Sequence, residues 1–186
     1  DINNEKKMDQ IFLRNKFSIV FHLAAQAGVR FSIKNPNQYF NSNIIGFYKI
    51  LNLSKKYKIK NLLFASSSSV YGNSKKFPSM ENSNTDSPIS FYAASKKTNE
   101  VMAYAYASIY NLPVTVLRFF TVYGPYGRPD MSLYKFFKNI INKKPIDVFN
   151  FGNHVRDFTY IDDAIEMLSK IKDKKPKGKV PYQCFN

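Results

Sequence analysis

Several residue types are scarce in this chain, and each scarcity excludes a class of protein. The 186 residues contain one cysteine, Cys184, and no tryptophan. A single cysteine excludes an intrachain disulfide framework and a cysteine-based zinc site, and it suits a reducing compartment such as the cytoplasm. No apolar run approaches the ~20 residues of a transmembrane helix, and the charged segment 1–7 is not typical of a signal peptide. We therefore expect neither feature.

Acidic residues are also few, which gives a net charge of +15 from 28 basic and 13 acidic side chains. The excess is almost all lysine, 23 against 5 arginines, and the lysines are scattered along the chain. A nucleic-acid binder is expected to cluster its cations on one element, with aromatic residues interleaved. We therefore expect no nucleic-acid partner and no membrane partner. The alternative, a basic nucleic-acid-binding domain, predicts salt-dependent retention on DNA.

Hydrophobic residues make up 44% of the chain, enough to form a core. Apolar runs predict buried strands at 17–23, 61–65 and 113–120, and helical spacing predicts helices over 36–57 and 90–111. This alternation is typical of a parallel α/β sheet, in which ligands bind at the carboxyl ends of the strands. Later elements are predicted as a helix at 131–142, strands at 146–149, 158–161 and 182–185, and a helix from Asp162.

Tyr92 and Lys96 open a predicted helix in the sequence Tyr-Ala-Ala-Ser-Lys. Residues four apart share one helix face, with ~5–6 Å between their Cβ atoms. A neighbouring ammonium and the positive end of the helix both stabilise a phenolate, so the pair can serve as an acid/base device. By itself the spacing is also typical of a surface tyrosine that packs on a lysine stem.

Four serines follow the second predicted strand, in the segment Ser66-Ser67-Ser68-Ser69-Val70-Tyr71-Gly72. A hydroxyl at this strand end can hydrogen-bond the same substrate oxygen from which Tyr92 takes a proton. The alternative is a serine-rich turn with no chemistry. A serine run at a strand end, followed by Tyr-x-x-x-Lys at the next helix start, is much more specific than either part alone.

With these segments the chain resembles the extended short-chain dehydrogenase/reductases that act on nucleotide sugars, and within them the UDP-glucuronate 4-epimerases. The resemblance covers essentially the whole chain and is carried by residues 22–30, 65–72, 92–96, 117–125, 127–131 and 156–163. It implies a Rossmann-like, doubly wound parallel sheet, NAD as the cofactor and a UDP-sugar as the substrate.

Such enzymes open with a Gly-x-x-Gly-x-x-Gly loop that binds the NAD pyrophosphate at a helix N-terminus. None of the seven glycines here forms that motif. We therefore expect an internal part of a longer enzyme, with an incomplete Rossmann domain over 1–120 that lacks the first βαβ unit. Residues 121–186 are expected to form part of a small substrate-binding region, interleaved with the last Rossmann elements. On this interpretation the chain alone holds NAD poorly.

The resemblance implies catalytic roles for three residues. Tyr92 takes the proton from the sugar 4-hydroxyl while hydride passes from C4 to NAD⁺, and the 4-keto sugar turns over before hydride returns to its other face. Ser67 is the hydroxyl partner, and Lys96 binds the nicotinamide ribose and stabilises the phenolate. Further cofactor contacts are implied for Asp1, Ile2, Ala24, Ala25, Gln26, Asn43 and Ser66. For Asn43 the alternative is a helix asparagine that only bonds the neighbouring backbone.

Substrate contacts are implied for a second set of residues. Four of the five arginines fall in the matching segments, and a guanidinium can bind carboxylate or phosphate in a bidentate way that lysine cannot. Arg156 resembles a pyrophosphate clamp, and Thr121 is placed to face the sugar carboxylate. The other implied substrate contacts are Arg30, Ser68, Ser69 and Arg128. Arg118 lies inside a predicted strand and is expected to be structural.

A homodimer is expected and a metal site is not. The helices at 36–57 and 90–111 resemble a pair that forms a dimer interface in this family, so a homodimer is expected. His22 and His154 do not lie at metal-ligand spacing, and no metal is expected. The main alternative is a sugar 4,6-dehydratase or a uronate decarboxylase. By resemblance, however, dehydratases carry Thr-Asp-Glu where this chain has Ser67-Ser68-Ser69.

Overall fold

The computed structural model describes all residues of the chain, 1–186. Its helices are α1 (Glu5–Asn15), α2 (Val29–Lys34), α3 (Pro36–Tyr39), α4 (Gly46–Lys56), α5 (Phe91–Tyr110), α6 (Ser132–Ile141) and α7 (Ile161–Ile171). Its strands are β1 (Ile19–His22), β2 (Asn61–Ser67), β3 (Val114–Phe119), β4 (Thr121–Tyr123), β5 (Phe158–Tyr160) and β6 (Tyr182–Phe185). None of the helices combines the length and the apolar character that crossing a membrane requires.

The chain divides into two compact units. Unit 1 comprises residues 1–119 and 170–186, and unit 2 comprises residues 120–169. The assignment of a cofactor-binding region to 1–120 and of a substrate-binding region to 121–186 stays a prediction.

Unit 1 is built on a four-stranded parallel sheet with the strand order β1-β2-β3-β6. The register pairs His22 with Phe64, Ser67 with Phe119, and Leu117 with Phe185. The carboxyl ends of the strands therefore meet at one edge of the sheet. The parallel α/β fold predicted from the alternation of strands and helices is confirmed, and the segments that follow β1 and β2 lie at this shared edge.

The core of unit 1 lies between the sheet and the helices α4 and α5. β2 and β3 are almost fully buried, which explains their near-continuous apolar sequences. The buried cluster combines side chains of both helices and both strands with one residue that follows α5: Phe47, Ile50, Leu51, Leu62, Phe64, Ala103, Ala107, Leu112, Val114 and Val116. Ser90 begins α5 as predicted, because its side chain accepts a hydrogen bond from the Ala93 N–H. This cap fixes where Tyr92 enters the helix.

The prediction of one regular helix over 36–57 is wrong in one detail. Pro36 begins α3 as predicted, but residues Phe40–Ile45 form a π-helical turn before α4. The wider turn shifts the side chains that follow it around the helix axis, and such turns are frequent at functional sites. The turn carries Asn43, whose side chain is buried. An apolar periodicity does not distinguish a π-helical turn from an α-helical one.

Unit 2 holds a separate two-stranded parallel sheet, in which β4 pairs with β5 and Thr121 lies opposite Phe158. The strand predicted at 146–149 is not formed; Phe149–Gly152 form a 3₁₀ turn instead, with Asn150 and Phe151 at positive φ. Gly124 directly follows β4 and has a φ of +138°. A Cβ there would lie 2.5 Å from Ile161 Cγ2, so both the backbone and the packing require glycine.

The amino ends of the strands form the opposite edge of the sheet in unit 1. The segments that enter β1 and β2 carry Lys16, Lys58 and Lys60, and residues 172–179 before β6 carry five more lysines. Seven of these eight lysines are exposed, and Lys172 is half-buried. Eight of the 28 basic side chains therefore lie at the edge opposite the carboxyl ends of the strands.

Candidate active site

Tyr92 and Lys96 lie in the first turns of α5, beside the carboxyl end of β2. Lys96 Nζ donates a hydrogen bond of 2.7 Å to the Ala65 carbonyl oxygen and lies 5.9 Å from the centroid of the Tyr92 ring. Burial lowers the pKa of Lys96 to about 8. The ammonium is therefore mostly charged at neutral pH, and one cation contacts the strand end while lying close to the tyrosine.

Ser67 ends β2 two residues after the carbonyl that Lys96 contacts. Its Oγ accepts hydrogen bonds from the Ser69 N–H at 3.2 Å and from the Ser69 hydroxyl at 2.9 Å. A hydroxyl oxygen has two acceptor positions, so both are used within the 3₁₀ turn Ser68–Tyr71. The group that Ser67 can still offer a ligand is its own O–H. This arrangement suits a donor to a substrate oxygen.

Tyr39 packs against Tyr92 and was not predicted from the sequence. The two rings meet edge to face, with 6.1 Å between their centroids. Tyr39 is fully buried, and its hydroxyl lies 2.8 Å and 2.6 Å from the carbonyl oxygens of Ala27 and Gly28. It therefore links the segment after β1 to the tyrosine. Tyr39 lies in a mostly polar stretch, residues 35–43, so no apolar pattern marks it in the sequence.

Asn43 ties the same segment to α5. Its Oδ1 accepts from the Gln26 N–H at 2.8 Å, and its Nδ2 donates to the Gln26 carbonyl at 3.0 Å and to Ser95 Oγ at 3.0 Å. Ser95 Oγ in turn donates to the Tyr92 carbonyl at 2.8 Å. Both amide hydrogens of Asn43 are thus used inside the protein. Its partners lie 17 and 52 residues away in the sequence, so Asn43 does more than bond the neighbouring helix backbone, and its contact with the cofactor stays a prediction.

The other residues implied for cofactor or sugar in unit 1 are spread around this edge. Ala24 and Ala25 are exposed directly after β1, and Arg30 is exposed in α2. Asp1 is exposed, and its Oδ1 accepts a hydrogen bond from the Asn3 N–H at 2.9 Å. Ile2 packs against the core cluster. Ser68 and Ser69 are half-buried in the 3₁₀ turn beside Ser67.

In unit 2 the structure brings Thr121 close to the segment of Arg156. The Thr121 N–H donates to the Asp157 carbonyl at 3.2 Å, one residue after the arginine. Arg156 is exposed, and its Nη1 donates to the Val155 carbonyl at 2.8 Å. Arg128 forms a bidentate pair with Asp130, at 2.9 Å and 2.5 Å, and these hydrogen bonds lower the pKa of Asp130.

Arg118 is structural, as expected, and its partner Glu100 was missed. The buried guanidinium pairs with the Glu100 carboxylate through Nε at 3.0 Å and Nη2 at 2.8 Å. Ser66 Oγ donates to the same carboxylate at 2.5 Å, so this hydroxyl is turned toward α5. The sequence did contain a signal, because Glu100 follows Tyr92 and Lys96 at intervals of four on one helix face.

His22 is a core histidine at the end of β1. Its ring lies 5.3 Å from the ring of Phe47, and burial, with a smaller effect of the Lys96 charge, lowers its pKa to about 4. No group of three or more His, Cys, Asp or Glu side chains in the structure is placed to hold a metal ion.

Because of His22, we expect the free energy of unfolding to decrease as the pH falls. The unfolded chain binds a proton near pH 6.5 and the folded chain only near pH 4, so the unfolded state holds more protons between these values. The free energy of unfolding should drop by about 2 kcal/mol between pH 7 and pH 5 on this account. Urea denaturation at both pH values, with His22→Asn as the control, measures the difference. Parallel losses in both proteins would contradict this role of His22.

Comparison with known proteins identifies relatives of this chain. Residues 1–184 match the NAD dependent epimerase/dehydratase family. Protein CapI of Staphylococcus aureus is 53% identical over 175 residues, which covers 94% of this chain and 52% of that protein. UDP-glucuronate 4-epimerase of Thermodesulfobacterium geofontis (strain OPF15) is 46% identical over 186 residues, which covers 100% of this chain and 56% of that protein.

Solved structures share the fold over the whole chain. UDP-glucuronic acid 4-epimerase from Bacillus cereus, in complex with UDP-glucuronic acid and NAD, superposes with a TM-score of 0.87 at 33% identity; the match covers 100% of this chain and 57% of that one. The chain spans about half the length of the curated relatives that it matches. The resemblance found in the sequence is confirmed: the chain belongs to the NAD dependent epimerase/dehydratase family.

Proposed function

We propose that the protein containing this chain epimerises a UDP-sugar at C4 with NAD as its cofactor, and that UDP-glucuronate is the substrate. The observation that carries the proposal is the placement of the Lys96 ammonium between the end of β2 and the Tyr92 ring. Relatives named as UDP-glucuronate 4-epimerases, at 44–49% identity, support the choice of sugar.

The side chains divide the work on the sugar 4-hydroxyl. Tyr92 accepts the hydroxyl proton as the C–H bond at C4 breaks, and it returns the proton after the 4-keto sugar has turned over. Lys96 makes the phenolate form of Tyr92 accessible, because its positive charge lies close to the ring. Ser67 donates its O–H to the same oxygen and holds it in line. Each of these contributions is of the general acid–base kind.

NAD, when bound, would supply the hydride chemistry: it would accept hydride from C4 of the sugar and later return it. The nicotinamide half fits the residues present. The Lys96 ammonium and the exposed Ala24 and Ala25 lie at the carboxyl edge of the sheet, and Asn43 fixes the backbone of Gln26 beside them. No Gly-x-x-Gly-x-x-Gly segment is present for the pyrophosphate. We therefore assign no contact with the NAD pyrophosphate to this chain, and the implied cofactor contacts of Asp1 and Ile2 stay a prediction.

The experiment uses the whole protein with NAD and UDP-glucuronate. We expect a second UDP-hexuronate to form, with the configuration at C4 inverted. Proton NMR distinguishes the two epimers by the coupling constants of the C4 proton. UDP-glucose is assayed in parallel as the sugar without a carboxylate. Absence of turnover on both sugars, in a folded protein that binds NAD, would refute the proposal.

We also propose that the protein assembles as a homodimer through α4 and α5. Tyr48, Val101, Tyr104 and Ile109 are large apolar residues of these helices with about half or more of their surface exposed. Tyr106, another aromatic residue of α5, is half-buried, and its hydroxyl donates to Asn52 Oδ1 at 2.6 Å. Sedimentation of the whole protein at micromolar concentration should give the mass of two chains. Tyr104→Glu should shift it to one, and a wild-type monomer would contradict the assignment.

A further inference from the structure

A buried ionic network surrounds Glu100, one helical turn after Lys96. The carboxylate accepts three hydrogen bonds, two from Arg118 and one from the Ser66 hydroxyl. Glu100, Arg118 and Ser66 are 3%, 6% and 3% exposed, respectively. A carboxylate at this depth is well solvated only by such partners, so its geometry is fixed by them.

The network continues from Arg118 to the loop that precedes α5. Arg118 Nη1 donates to Tyr71 Oη and to the Glu81 carbonyl, each at 2.9 Å. Tyr71 Oη donates to Asn186 Oδ1 at 2.6 Å, and Asn186 Nδ2 donates to the Ser79 carbonyl at 2.7 Å. The loop is thereby tied to the carboxyl ends of β3 and β6 and to the turn after β2.

Each of the last three residues of β2 is held by a different group. Lys96 bonds the Ala65 carbonyl, Glu100 accepts from the Ser66 hydroxyl, and Ser69 donates to Ser67. Lys96 and Glu100, both on α5, are thus hydrogen-bonded to the adjacent residues Ala65 and Ser66 of β2. A displacement of Ser66 would move both its neighbours, the carbonyl that orients Lys96 and the hydroxyl of Ser67.

Stability alone does not account for the pair. A buried ion pair loses its hydration on folding, and replacement by apolar residues of similar volume often leaves a protein as stable or more so. What an apolar pair cannot reproduce is the directed bond to Ser66 and the fork to Tyr71 and Glu81. The arrangement therefore favours a role in geometry.

We propose that Glu100, held by Arg118, is a positioning residue that sets Ser67 and Lys96 through Ser66. This inference rests on the proposed epimerase function. Neither Glu100 nor Arg118 touches the reacting atoms; both act through the end of β2.

The test compares Ser66→Ala with the paired variant Glu100→Met/Arg118→Met in the whole protein. Ser66→Ala leaves the ion pair intact and removes the bond between the strand and Glu100. Because Ser66 was also implied as a cofactor contact, the Kd for NAD is measured in this variant, and the positioning role requires that it stay at the wild-type value. We expect kcat on UDP-glucuronate to fall about tenfold in Ser66→Ala and up to about 100-fold in the paired variant. KM should stay within about twofold, since no substrate contact is removed. Lys56→Met, which opens the surface pair with Asp9, is the matched control and should leave kcat unchanged.

Thermal unfolding and amide hydrogen exchange separate the outcomes. If the paired variant kept both the wild-type Tm and the wild-type kcat, the ion pair of Glu100 and Arg118 would have no role in geometry, and the proposal would be overturned. A Ser66→Ala variant with unchanged kcat would overturn it too, whatever the fate of the paired variant. Exchange at residues 67–71 should accelerate in Ser66→Ala and not in Lys56→Met. Hydrogen exchange can be measured in a protein that shows no turnover. An inactive wild type would therefore refute only the epimerase assignment, whereas unchanged exchange in Ser66→Ala would refute the positioning role.

Discussion

Replacement of Tyr92 by phenylalanine should reduce turnover by about 10²–10⁴-fold, the usual contribution of a positioned acid or base. The substitution removes the hydroxyl proposed to exchange the 4-hydroxyl proton and keeps the ring that packs against Tyr39 at 6.1 Å. Binding of the UDP-sugar should barely change, because the proposed uridine and pyrophosphate contacts lie in other segments. The measurement is kcat on UDP-glucuronate together with the Kd of the UDP-sugar in the same preparation.

Tyr104→Phe is the matched control for this prediction. Tyr104 lies on the same helix, is half-exposed, and is far along the helix from the first turn. Its loss of a hydroxyl should leave turnover within about twofold of wild type. If Tyr92→Phe retained full turnover, or if it lost substrate binding in proportion to turnover, Tyr92 would not be the acid/base residue.

Thr121→Ala should separate the choice of sugar from the chemistry. If Thr121 donates to the uronate carboxylate, its loss removes one charge-assisted hydrogen bond, worth about 1.5–3 kcal/mol. This predicts a loss of roughly 10- to 150-fold in kcat/KM on UDP-glucuronate. UDP-glucose has no carboxylate and should be affected little. Both sugars are measured side by side on one preparation.

Thr159→Ala is the corresponding control, because Thr159 is half-buried on β5, the strand that pairs with β4. It should affect both sugars equally and weakly. Equal losses on both sugars in Thr121→Ala would give Thr121 a structural role only. The assignment of glucuronate would then depend on the named relatives alone.

The elements that could be predicted are those whose signal is local and strong. β2 and β3 are apolar runs bounded by polar residues, and the helix at Phe91–Tyr110 begins at a serine cap. The π-helical turn at Phe40–Ile45 escaped prediction because the hydrophobic period hardly changes over one turn. The strand predicted at 146–149 failed because so short an apolar run specifies no element by itself, and a 3₁₀ turn begins at its last residue, Phe149.

In the candidate site, too, the residues that could be predicted are those whose signal is local in the sequence. Tyr92, Lys96 and Ser67 were found because their spacing and their place at a strand end are visible in sequence. Glu100 and Tyr39 were not, since their importance lies in partners 18 and 53 residues away, Arg118 and Tyr92. Contacts between distant segments become visible only when the fold brings them together.

The lysines at the amino edge of the sheet have a consequence for how this sequence can change. Lys16, Lys58, Lys60 and the lysines of 172–179 enter the strands at the end opposite Tyr92 and Ser67. Exposed charges more than a Debye length apart, ~8 Å at physiological ionic strength, hardly influence one another. Replacement of these lysines should therefore change the charge of this edge and leave the electrostatic environment of Tyr92 and Ser67 nearly the same. The same edge is the place to redesign charge for solubility, or to attach a tag or a surface, when the catalytic edge must be left untouched.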